Sequence, residues 1–232
     1  MTVQLLGSVR RVGCAAAFLG AVMFASPAQA ALVTVDSVGD SFHVVFGGNI
    51  ATQDVADLSA EATFLVTAFS ANSITFDIML ENTTGSLGSG LASRVSGLGF
   101  NTTPNLTSAS STGVFNFAAL GGSYPNQFGN IEACFKDGGG PGNCQGGGNG
   151  GVSSPNSGAF TVVLNFNGPI TQFAFDRFGV RYQSIDGSDL GTSGTGEGRV
   201  SDDPPPAVPE PTTMVLLGTG LIGLVGRKLR QR

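Results

Sequence analysis

Three groups of residues in this sequence have the types that chemistry needs, and their spacing decides what each can do. The single histidine, His43, stands between Phe42 and Val44. Apolar neighbours on both sides put it on the solvent face of a strand, with no visible partner to make it a general base. Asp77 and Glu81 share one strand face, and paired carboxylates are the machinery of glycoside hydrolysis. Four residues at about 3.3 Å each separate them by about 13 Å, beyond the roughly 5 to 9.5 Å such a pair spans. They read as a solvated face, while acids brought together across strands stay open. No Gly-x-Ser-x-Gly elbow and no mature Cys/His/Asn arrangement stands out. The expectation is a protein that is not an enzyme and needs no cofactor.

Cys134 and Cys144 flank a glycine-rich stretch. In an exported chain a disulfide is the economical reading; zinc is its rival, although a closed zinc site wants four ligands and His43 is the sole histidine. Gly146, Gly148 and Gly151 fit the dinucleotide spacing by chance, because Val152-Ser153-Ser154-Pro155 follows where a helix would have to start. Asp186-Gly187-Ser188-Asp189 has calcium-loop composition without the spacing of an EF-hand, and turn chemistry explains it equally well. No metal site is assigned. Asn82, Asn101 and Asn105 begin formal glycosylation sequons.

Both ends read as addresses rather than as structure. Arg10 and Arg11 precede the apolar stretch Val12 to Ala25, and Ala28-Gln29-Ala30 offers a signal peptidase its small residues, with cleavage between Ala30 and Ala31. An uncleaved anchor is the rival, but the stretch is short of the roughly 20 apolar residues of a span. Cys14 stands near the start of the apolar stretch, with most of the run after it instead of before it, against a lipoprotein reading. Residues 202–207 form a Pro-rich linker. Val208, Pro209, Glu210 and Pro211 come next, then the apolar run Thr212 to Gly226, then a basic stop of Arg227, Lys228, Arg230 and Arg232. Fifteen helical residues reach about 22 Å, a marginal span that the basic cluster would hold with its C-terminal end in the cytoplasm.

That tripartite tail, residues 208–232, resembles the PEP-CTERM sorting signal of exported proteins in Gram-negative bacteria that make exopolysaccharide. The resemblance implies an exosortase, a separate membrane enzyme, that recognises Val208 to Pro211, cuts near Pro209-Glu210-Pro211 and releases or transfers the protein. Asn82-Thr83, Gly99-Phe100-Asn101, Val180 to Gly187 and the Cys134/Cys144 insertion also resemble segments of the cistern family of PEP-CTERM proteins. The implied localisation is export across the inner membrane, transient anchoring there, then cell envelope, surface or medium. The implied partners are signal peptidase, exosortase, the inner membrane and exopolysaccharide.

The elements between these ends must be strands. Ile74, Phe76, Ile78 and Leu80 alternate with polar residues, as do Phe160, Val162, Leu164 and Phe166; Phe42, Val44, Phe46 and Phe64, Val66, Ala68 repeat the pattern more briefly. Further strands are predicted at Leu32 to Val38, Arg94 to Phe100, Val114 to Ala119 and Gln172 to Gln183. In the last, the apolar phase slips between Phe175 and Phe178, as a β-bulge near Arg177 would require. The prediction is an all-β domain over 31–201, an antiparallel two-sheet sandwich of jelly-roll type with about eight strands, a Gly-rich loop at 137–158, and a C-terminal hydrophobic helix beyond it.

From Ala31 to Pro211 only Arg94, Lys136, Arg177, Arg181 and Arg199 stand against all sixteen acids, a net of −11. Such a surface repels phosphate backbones, so nucleic acid is excluded as a partner. Seventeen phenylalanines and no tryptophan suit a core better than a stacking platform for sugars. The functional expectation is an exported, non-enzymatic cell-envelope or matrix protein associated with exopolysaccharide. The alternatives are a carbohydrate-active enzyme or a lectin-like binding module.

Overall fold

A computed structural model of the chain describes residues 33–138, 144–145 and 149–201. The signal segment with Ala28, Ala30 and Ala31, the linker 202–207, and the tail with Val208 to Pro211, the predicted hydrophobic helix and the basic stop lie outside the described residues, as does part of the Gly-rich loop. Among the described residues no helix is long and apolar enough to cross a membrane.

Fourteen strands occur among the described residues. The first six are β1 (Val33–Val35), β2 (Ser41–Phe46), β3 (Asn49–Ile50), β4 (Gln53–Asp54), β5 (Ala60–Ser70) and β6 (Ser73–Glu81). Then come β7 (Ala92–Thr103), β8 (Leu106–Gly113), β9 (Phe117–Tyr124) and β10 (Gly129–Lys136). The last four are β11 (Val152–Ser153), β12 (Ser157–Phe166), β13 (Phe173–Asp186) and β14 (Ser193–Val200).

All-β is right, but the two-sheet sandwich is not what forms. Ten strands make one continuous antiparallel path, β8-β12-β6-β5-β2-β14-β13-β7-β10-β9, and its end strands β8 and β9 touch without a ladder between them. The result is a nearly closed, barrel-like sheet. Its inside is filled by aromatic rings, with Phe64, Phe76, Phe100, Phe173, Phe175 and Phe178 in mutual contact, for example Phe100 edge-on to Phe175 at 4.9 Å. Among the described residues only Phe42, Phe69 and Phe117 of the phenylalanines escape full burial. A buried phenylalanine contributes roughly 1.5 to 3 kcal/mol, so this ring cluster is a large part of the core's stabilisation, beside the buried Val, Ile and Leu residues packed with it.

The alternating faces hold: Ile74, Phe76, Ile78 and Leu80 are all buried, as are Phe160, Val162, Leu164 and Phe166. Ala68 does not. The β5–β6 register shifts between Val66 and Ala68, so Ala68 faces out and Phe69 turns toward the core. The bulge expected near Arg177 is present, with β13 slipping against β7 between Phe175 and Arg177 while Phe173, Phe175, Phe178, Val180 and Tyr182 all stay buried.

Three strands of the path were not foreseen. β14, Ser-Gly-Thr-Gly-Glu-Gly-Arg-Val, reads as a turn by composition. It is a strand because its inner positions meet chain packed too close for any side chain: a Cβ on Gly196 would lie 2.1 Å from the Gly47 carbonyl oxygen. β8 is Ser/Thr-rich on both faces, and β10 carries no clean alternation. The predicted loop 137–158 is shorter than expected, because β11 pairs with β7 and β12 begins at Ser157.

β7 is covered on both faces. Val95, Leu98 and Phe100 point into the barrel, while Gly97 and Gly99 leave room outside for the β9–β10 hairpin, which folds back over β7 and β13. The Tyr124 hydroxyl would stand 3.1 Å from a Cβ on Gly99, and the Phe128 ring 2.4 Å from one on Gly179. Tyr124, Phe128, Ile131, Cys134 and Cys144 thus form a second, smaller core on the outside of the sheet.

A polar cleft between two tight turns as candidate site

The two cysteines are bonded to each other, with Cα atoms 5.8 Å apart, which removes zinc as their partner. Cys144 packs on the open face of Gly122 and draws the Gly-rich segment onto the outer core. Beneath that segment Arg94 pairs with Asp137 at 2.9 Å, donates to the Gly150 carbonyl and reaches Gln183 Oε1 at 3.0 Å.

The remaining residues singled out for chemistry do not come together. His43 sits on the outer face as expected and reaches Glu61 at 3.4 Å. Asp77 and Glu81 are both exposed, and Asp77 accepts a hydrogen bond from Thr161 at 2.7 Å. Across strands, Glu61 stands directly opposite Glu81, a pair open to solvent on the outer face. Gly187 N–H donates to Asp186 Oδ1 and Leu190 N–H to Ser188 Oγ, the local bonds of a turn. Asn82 is fully buried, its amide donating to Ser93 and to the Val152 carbonyl, so its sequon is closed within the fold.

Sequence reasoning missed a cleft of about 790 Å³ on the outside of β14. Two hairpins contribute to its lining, β3–β4 through Asn49 and Asp54 and β9–β10 through Asn126 and Gln127, and each turns on consecutive residues at positive φ, the geometry of a type I′ turn. One is Ala51–Thr52 between β3 and β4, with φ of 49° and 70°; the other is Asn126–Gln127 between β9 and β10, with φ of 57° and 65°. None of the four is glycine, and non-glycine residues adopt this region at a cost.

The turns are tied together: Asn126 Nδ2 donates to the Asn49 carbonyl at 3.1 Å, and Thr195 Oγ1 on the floor donates to the Pro125 carbonyl at 3.4 Å. Asn49 Nδ2 donates to Asp54 at 3.3 Å, while Asn49 Oδ1 is buried with no partner. On the opposite wall the Arg177 guanidinium lies 4.1 Å from the centre of the Phe128 ring, donates to the Phe128 carbonyl, and stands 3.9 Å from Glu197. Arg199 completes the lining.

Arg177 and Arg199 balance Asp54 and Glu197 here, in contrast to the acidic chain as a whole. Amide, carboxylate and guanidinium groups, each able to make two parallel hydrogen bonds, converge on one concavity. That donor set suits a ligand rich in hydroxyl groups. Its residues come from β2, β3, β4, β13, β14 and the β9–β10 turn, so no spacing along the chain could mark it; the only local hint was Pro125-Asn126, a turn-forming pair.

The C-terminal residues 207–231 match the family model of the PEP-CTERM protein-sorting motif. The match covers Val208 to Pro211, Arg227, Lys228 and Arg230, begins one residue before the expected boundary and stops short of Arg232. No curated protein and no solved structure matches the chain. A PEP-CTERM motif implies an exported protein sorted to the cell surface and processed by an exosortase.

Proposed function

We propose that the protein is a non-enzymatic component of the cell surface or extracellular matrix, associated with exopolysaccharide after exosortase processing. The observation that carries this reading is the sorting motif at 207–231. Val208 to Pro211 act as the recognition element, Arg227 to Arg232 as the stop, and Ala28 to Ala31 as the site of signal-peptide removal. Within PEP-CTERM proteins, the assignment to the cistern family is supported by Asn82-Thr83 at the end of β6, Gly99-Phe100-Asn101 in β7, Val180 to Gly187 on β13 and the Cys134–Cys144 insertion.

The polar cleft favours a second, compatible reading, a carbohydrate-binding module. Its planar hydrogen-bonding groups supply what a stacking platform otherwise would, and the Arg177 face over Phe128 is the nearest equivalent of one. The hydrolase alternative rests on Glu61 and Glu81, and their exposure on the outer face argues against it, since a glycosidase acid pair works in a site that grips the sugar ring.

Sedimentation of culture medium tests the reading. The native protein should pellet with the polysaccharide and move to the supernatant when a glycanase degrades that polymer. A protein that stays soluble regardless contradicts the association. Release of reducing ends by the protein alone, abolished in Glu81→Gln, would instead make it an enzyme.

A further inference from the structure

Arg181 is a buried guanidinium behind the cleft, outside its lining. It is 7% exposed, and among the described residues no carboxylate pairs with it. One Nη donates to the carbonyls of Gly194 and Tyr182, while Nε is buried without a partner. The nearby Tyr124 hydroxyl, also buried, has no hydrogen-bond partner either.

The register locates this cation relative to the cleft. Asp54, Asn49, Thr195, Arg181, Gly97 and Lys136 form one row of paired residues across β4, β3, β14, β13, β7 and β10. Asp54, Asn49 and Thr195 line the cleft. Arg181 is the next residue in the row, one strand spacing of about 4.8 Å further, and its bond to the Gly194 carbonyl directs the guanidinium back toward Thr195. The Pro125–Asn126 backbone stands over the same place, held by Thr195 Oγ1 and the Asn49 carbonyl. A buried guanidinium without a counter-charge is costly, and an anion that reaches it displaces little water.

We infer that the cleft takes a carboxylate-bearing sugar, of the uronic acid class, whose hydroxyls bond the amides and acids of the cleft while its carboxylate passes under the Asn126–Gln127 turn to Arg181. The inference rests on the binding-module reading and adds to it the charge of the ligand. The short reach of the guanidinium explains how a chain of net −11 takes an anion: long-range repulsion is screened beyond about 8 to 10 Å at ordinary salt, and the contact itself is a charge-assisted hydrogen bond.

The test is calorimetric titration of the full-length protein in mild detergent with three probes: a galacturonic acid trimer, an uncharged galactose trimer, and acetate. The acidic trimer should bind at least tenfold more tightly than the neutral one. Arg181→Gln should erase that preference, and Asn126→Gly, which keeps the turn, should weaken both trimers severalfold. If Arg181→Gln fails to fold, Thr195→Asp answers instead, because a carboxylate on the residue paired with Arg181 should abolish the preference by occupying its place. Equal affinity for the two trimers overturns the inference and leaves the module reading standing. No binding of either trimer overturns both, and acetate binding as tightly as the acidic trimer overturns the sugar assignment.

Discussion

Tyr182 puts its hydroxyl into the aromatic core with no hydrogen-bond partner. A buried, unsatisfied hydroxyl costs roughly 1 to 3 kcal/mol, so Tyr182→Phe should stabilise the protein by up to about that amount in urea unfolding. Burial also pushes the phenol well above its ordinary value of 10.0. Below pH 10 the phenol is protonated in both folded and unfolded chains and stability is unaffected. Above it the unfolded chain ionises while the buried phenol does not, so stability falls, and the fall should be smaller in Tyr182→Phe.

Asp57 works in the opposite direction. Its carboxylate accepts from the backbone of Leu87 and Ser89, and hydrogen bonds from Ser89 first and then Leu87 hold it below the ordinary 3.8. Its stabilising contribution is complete above pH 3.8 and is lost as pH falls through the lower folded value. Asp57→Asn should lower the melting temperature at pH 7 and flatten the acid limb of the melting curve; an unchanged acid limb would refute that role. At this scale the buried faces of β6 and β12 were legible, because alternation alone fixes them. Asn49, Asn126 and Arg181 were not, because the Asn126–Asn49 bond joins residues 77 apart and only the pairing of β3 and β13 with β14 puts Asn49 and Arg181 in one row.

Among the elements, β14 and the Cys134–Cys144 loop carry the sharpest expectations. The alternate glycines of β14 face core side chains and neighbouring backbone packed against them, so Gly196→Ala must move the Gly47 backbone and the Tyr182 and Val180 side chains. We expect a loss of about 3 kcal/mol or more, read as a lower denaturation midpoint. The disulfide closes a loop between residues ten apart in sequence, and the chain-entropy model gives such a loop roughly 3 kcal/mol. Reduction, or Cys134→Ser with Cys144→Ser, should lower stability by that order, and faster hydrogen exchange should appear first at Tyr124, Phe128 and Gln145, which pack or bond beside it. The bulge near Arg177 could be read from a phase slip in the apolar residues, whereas the shift after Val66 could not, since alanine fits either face. β14 escaped because glycine composition signals turns, and here it signals close packing.

For the whole molecule, apolar periodicity establishes strands but not how a sheet closes. Two short sheets facing each other and one sheet curled on itself bury the same alternate residues, and only the unbroken pairing from β8 to β9 distinguishes them. The destination of the molecule was legible because sorting signals are contiguous in the chain, while the cleft is assembled from six separate elements. The central claim, export followed by cutting at the tail, is tested most directly by intact-mass analysis of the native protein from membrane and medium, with and without alanine at Pro209, Glu210 and Pro211. The account predicts a product that begins at Ala31, is two mass units lighter than its reduced form, and lacks the basic tail unless the motif is changed. A membrane-bound product that keeps Arg232 in both strains would contradict it.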